Sequence, residues 1–194
     1  MKKTIYWLLF IAFISTMIFS ACKKEETAVA PPVPGNEFLT TVKYRFQNAA
    51  NANDTVWATW KDLSGGANPP DTSLATINIK KSTTYHVTVH LYDETQNPVK
   101  EISSEIFVDR ANYHTYWFFP TGSIAGHITF TATDHDTNHP PLWVGGTDDC
   151  VTDATVCNLG RLEGVLRHQP NSKNGTFAPG STDSDVTFTV NITN

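Results

Sequence analysis

The stretch YHVTVHLY, residues 85–92, constrains the fold of this chain more than any other. Tyr85, Val87, Val89 and Leu91 fall on one side of an extended backbone; His86, Thr88, His90 and Tyr92 fall on the other. Side chains alternate along a strand, so such a segment buries one face and wets the other. The same period of two recurs in VKYRF (42–46), VWATW (56–60), LATINI (74–79), YHTYWFF (113–119), HITFTAT (127–133), GRLEGVLRH (160–168) and DVTFTVNI (185–192). Turn formers separate them at 65–71, 94–98, 134–141 and 170–185. Ile102 to Val108 reads equally as a short helix or a strand. Short strands with regular turn signals predict an all-β fold: an antiparallel β-sandwich of immunoglobulin-like or transthyretin-like form, over residues 36–194.

The N-terminus follows a different logic. Lys2 and Lys3 precede an apolar run from Ile5 to Phe19, and the small residues Ser20 and Ala21 follow. This layout predicts a secretory signal peptide over 1–21. The run is slightly short for a bilayer span, which takes about 20 apolar residues. Thr27 to Gly35, TAVAPPVPG, reads as a linker, because Pro31, Pro32 and Pro34 favour an extended chain without backbone donors.

FSAC, residues 19–22, resembles the lipobox of bacterial lipoproteins, in which the cysteine is lipidated and becomes the first residue after cleavage. The resemblance implies lipidation at Cys22 and a membrane partner reached through the lipid. CKKEE (22–26) resembles the start of surface-exposed lipoproteins of Bacteroidota. From residue 38 onward the chain resembles an uncharacterised group of Bacteroidota lipoproteins. NEFLTTV (36–42), ATWKDL (58–63), TTYHVTVHLYDE (83–94) and LRHQPNSKNGTFAPGSTDSDVTF (166–188) carry that likeness. It implies a β-sandwich lipoprotein of the cell outer membrane, lipid-anchored and facing the periplasm or the surface, and no established chemistry. Members of the group sometimes bear a type 1 periplasmic-binding label. That two-lobed α/β fold does not suit a short chain with no alternating βα pattern.

The whole chain carries a formal charge of −5, and loss of the signal removes two lysines and no acid. Such a surface offers no basic face to nucleic acid. Cys150 and Cys157 form an even pair close in sequence. Outside the cytoplasm such a pair reads as a disulfide, contributing about 2.5 kcal/mol on the chain-entropy model. The alternative, a metal site, lacks CxxC spacing.

HDTNH (135–139) has the histidine spacing of a zincin helix, but Asp, Thr and Asn are poor helix formers and Pro140 and Pro141 follow at once. As a calcium loop it offers Asp134, Asp136 and Asn138, yet the later positions that need Gly and Glu hold His139 and Gly145. The expected structure is a turn held by Asp and Asn side chains. His86 and His90 share a strand face but lie about 13 Å apart, too far for one metal. Either one with His114 or His127 from a neighbouring strand could hold a metal or haem. There is no G-x-S-x-G elbow and no phosphate loop. Trp57, Trp60, Trp117 and Trp143 suit either a platform for sugars or peptides or cross-strand packing. The expected function is therefore a non-catalytic binding or structural module without cofactor, with an envelope protein or glycan as ligand. The rival expectation is a metal- or haem-binding surface lipoprotein.

Overall fold

Alternation produces strands wherever it was expected. The computed structural model describes residues 39–194, which belong to one compact unit, Asn36–Asn194. The signal peptide, Cys22 and the linker to residue 35 lie outside the described residues. Strands β1 (Thr41–Asn48), β2 (Thr55–Lys61), β3 (Thr76–Lys80) and β4 (Thr84–Asp93) are followed by a two-residue β5 (Lys100–Glu101). Then come β6 (His114–Thr121), β7 (Ile128–Ala132), β8 (Thr147–Thr152), β9 (Cys157–His168) and β10 (Ser181–Thr193). The larger sheet has the order β2-β1-β4-β8-β7, with β5 also on β4; the smaller has the order β3-β10-β9-β6. The protein is thus an all-β sandwich. One pairing departs from the antiparallel rule: β3 lies parallel to β10, because the chain crosses between sheets after β2.

The two inner faces interdigitate. Val42, Tyr44 and Phe46 of β1 and Tyr85, Val87, Val89 and Leu91 of β4 meet Ile77, Ile79, Leu162, Leu166, Phe188, Val190 and Ile192 of the other sheet, all buried. Burying each large apolar side chain is worth about 1.5–3 kcal/mol, and this layer holds the sheets together. Polar atoms also enter it. The Tyr44 and Tyr116 hydroxyls bond to each other at 2.5 Å, and burial pushes both phenols well above their ordinary pKa. Gly164 makes room for them: a Cβ there would sit 1.9 Å from the Tyr44 hydroxyl oxygen.

One open reading is settled and two expectations need correction. Of the two readings left open for Ile102 to Val108, the short helix forms and the strand does not: Glu105–Asp109 is a π-helical turn that buries Ile106. The stretch expected as turn to residue 185 ends earlier, since β10 begins at Ser181. Finally, Cys150 and Cys157 are both free and buried. Cys150 lies in β8 of the larger sheet, between Tyr85 and Phe130, whereas Cys157 opens β9 of the smaller sheet opposite Ile192. The chain passes from one sheet to the other between them, and each thiol packs as a small apolar group. Burial pushes the Cys150 thiol far up, so its reactive thiolate is disfavoured.

Candidate functional site

The site starts from an unusual use of one strand edge. β4 pairs along one side with β1 throughout. Its other side is divided. Thr84–Thr88 pair with β8, and Tyr92 and Asp93 pair with β5. The residues between are held by single bonds to different segments. Val89 N–H donates to the Gly146 carbonyl at 2.9 Å, and Ile102 N–H donates to the Leu91 carbonyl at 2.8 Å. Leu91 N–H donates to Ser103 Oγ at 2.8 Å. Where β5 and β8 diverge, a groove of about 730 Å³ opens.

Its walls follow from this divergence. One wall is the π-helical turn, which presents Phe107 and the exposed Val108. π-Turns are rare and concentrate at functional sites. The facing wall is the loop 134–137, so the HDTNH segment lines the groove rather than only closing a hairpin. His90 and Glu101 bond to each other at 2.8 Å on the strand side. Burial works against charge on Glu101, but bonds from His90 and Ser103 outweigh it and hold the carboxyl below its usual range. Trp57, about half exposed, lies over His90 with ring centroids 5.3 Å apart.

The loop is fastened by its acids. Asp134 accepts the backbone N–H groups of Gly145, Gly146 and Thr147 at 2.7, 2.9 and 3.2 Å. Gly146 is required there, since a Cβ would meet the Phe107 ring at 2.6 Å. Asp136 is buried and accepts from Asn138 N–H, the Asn138 amide and Leu142 N–H, while the Lys173 ammonium lies 2.9 Å away. The segment is irregular, not helical, and His135 and His139 are exposed on it. The zincin arrangement of two histidines on one helix face is therefore not formed. The candidate calcium ligands Asp134 and Asp136 direct their oxygens at these protein donors, and Asn138 donates to Asp136.

The other candidates scatter. His86 bonds to Asp149 at 2.7 Å and His127 to Asp153 at 2.8 Å, each on an exposed surface. His114 belongs to the smaller sheet and stacks on His168. Trp60 packs against the core. Trp117 and Trp143 meet edge to face at 4.3 Å, and Phe177 packs on Trp117. The four tryptophans thus make no single platform.

One titratable group, noticeable in the sequence only as a loose calcium ligand beside Asp149, has surroundings that no local signal reveals. Asp148 lies on the inward face of β8, paired with Val87, and its Oδ2 is buried without a partner. Burial first, then the charges of Asp134 and Asp149, push its carboxyl up to about 8. It faces the sandwich interior and does not line the groove. Of the groove's own polar groups, Ser103 Oγ donates to Glu101 and accepts from Leu91 N–H, whereas His90 Nε2 is buried without a partner. Together, fold and site define a β-sandwich with a ligand-sized groove in its larger sheet, beside β4 where β5 and β8 part. No family model, no curated protein and no solved structure matches the chain.

Proposed function

We propose that this protein is a lipid-anchored lipoprotein of the bacterial outer membrane whose sandwich is a non-catalytic binding module, with the groove between β5 and β8 as its ligand seat. The lipobox-like FSAC and the resemblance to Bacteroidota lipoproteins support the anchoring. The groove carries the binding reading. It joins an apolar wall, Phe107 and Val108, to the half-exposed carboxylate of Glu101, beside an exposed indole. A sugar ring has the matching character, an apolar face that stacks on an aromatic ring and hydroxyls that donate to carboxylates. A glycan of the envelope or its surroundings is the ligand class this lining fits best.

The test has two arms. Cys22→Ala should release the protein from the membrane fraction or leave a precursor, and the wild type should incorporate labelled fatty acid. Glycan-array binding by the wild type should be lost in Val108→Asp and weakened in Trp57→Ala. Array binding that survives both substitutions places the ligand elsewhere and ends the groove reading.

A further inference from the structure

We propose that His114, His168 and Asp183 form a binding site for a divalent transition-metal ion of the zinc class. The site lies at one end of the smaller sheet and does not depend on the groove or on its ligand.

Register brings the histidines together. His114 opens β6, His168 ends β9, and the two are direct partners in the antiparallel pairing. Their rings lie 4.8 Å apart and 11° from parallel. A bulge supplies the third group. Thr182 pairs with Arg167 and Ser184 with Leu166, so Asp183 is the extra residue between them. Freed from the ladder, its Oδ2 lies 3.6 Å from His114 Nε2.

Hydrogen bonding prepares these atoms to be ligands. His114 Nδ1 lies 3.1 Å from the Arg110 carbonyl oxygen. A carbonyl can only accept, so Nδ1 carries the proton, and Nε2, which faces Asp183, is the atom left to bind a metal once it carries no proton. A backbone carbonyl on the far nitrogen is the usual way to orient a ligating imidazole. His114 is almost wholly buried. His168 Nε2 is buried with no hydrogen-bond partner, although nearly all such atoms find one. A metal ion would satisfy it.

The ligand atoms of the three residues lie within 4.8 Å of one another. Zinc–nitrogen bonds of about 2.0–2.1 Å need donors roughly 3.4 Å apart around a tetrahedral ion. Binding must therefore turn the stacked rings toward a common point and draw the donors in by up to about 1.5 Å. Two imidazoles and one carboxylate suit zinc or cobalt and leave a fourth position for water; calcium and magnesium want oxygen ligands. The guanidinium of Arg110, the nearby cation, bonds to Glu105 at 2.9 Å, which offsets its charge.

The full chain, purified in detergent without a histidine tag, is titrated with Zn²⁺ and with Co²⁺. The expected result is one equivalent bound, a rise of several degrees in Tm, and visible absorption bands of four-coordinate Co²⁺. Asp183→Asn and His168→Gln should each weaken Zn²⁺ binding at least tenfold. His86→Ala combined with His127→Ala, which removes two exposed histidine–carboxylate pairs, should leave affinity unchanged. If His168→Gln does not fold, Asp183→Asn decides alone, since that carboxylate is partly exposed at the bulge. Absence of one-equivalent binding overturns the site, as does affinity unchanged in Asp183→Asn or lost only in the His86/His127 variant.

Discussion

Asp136 in the groove loop and Asp148 in β8 are both closed off from solvent, at 6% and 5% exposure, but Asp148 lies deeper among protein atoms and burial ends differently for the two. Burial pushes Asp136 up, but Leu142 N–H, Lys173 and Asn138 N–H outweigh it and hold the carboxyl below its usual range. Asp148 has no comparable donors and faces the charges of Asp134 and Asp149, so its carboxyl rises to about 8. The state of a buried acid is decided by the donors aimed at it, not by burial alone. The loop wall of the groove is stiff because its acid is satisfied. The β8 wall behind it carries a latent cost.

The largest effect should come from unsatisfying the satisfied acid. Lys173 is itself buried, bonds to the Ala111 carbonyl, and has its pKa pulled down by that burial despite Asp136. Lys173→Met strands the Asp136 carboxylate, and breaking a buried pair from one side costs about 3–5 kcal/mol. Urea unfolding at neutral pH should show that loss. A loss under 1 kcal/mol would mean that the backbone donors suffice and would erase the contrast.

Asp148→Asn tests the other half. The folded chain holds the Asp148 proton more tightly than the unfolded chain, whose carboxyl titrates near 4. Its contribution to stability is therefore complete below about 4, declines as pH rises, and is gone above about 8. At pH 7 the asparagine variant should be more stable by roughly 2 kcal/mol, since the amide still has to be desolvated. Below pH 4 the two proteins should converge. A variant less stable than wild type at every pH would show that the carboxyl has a partner the comparison lacks.

An effect of similar size is expected at the tyrosine pair, which is satisfied without any charge. Tyr116→Phe leaves the Tyr44 hydroxyl buried and alone, at a cost of about 1–3 kcal/mol. Thermal unfolding would measure it, and Gly164→Ala should mimic it by crowding the same hydroxyls. The smallest effect belongs to the loop's exposed histidines. His135→Ala with His139→Ala should change stability by no more than about 0.5 kcal/mol. A larger change would mean that the loop is held by its histidines and not by Asp134 and Asp136.

Much of the scaffold was legible in the sequence, and much of the site was not. β4 was readable because Tyr85, Val87, Val89 and Leu91 alternate with polar residues. β8 was missed because TDDCVT has two acids at its centre, and acids are poor strand formers. Asp134 and Asp136 were noticed for their spacing, but the partner of Asp136 lies 37 positions away in a stretch of turn residues, with no local signal at Lys173. The disulfide expectation failed for the same reason. Closeness in sequence says nothing about which sheet each cysteine joins.

The sequence by itself determined the alternating strands, the two-faced layers they require and the absence of a helix at HDTNH, because alternation and turn chemistry act over a few residues. Only the tertiary structure decided that β5 and β8 share one edge of β4, that Cys150 and Cys157 stay as thiols, and that His114 lands on His168. Strand partners are chosen by burial and hydrogen-bond pairing summed over the whole chain, and a period of two is silent about which strands will meet.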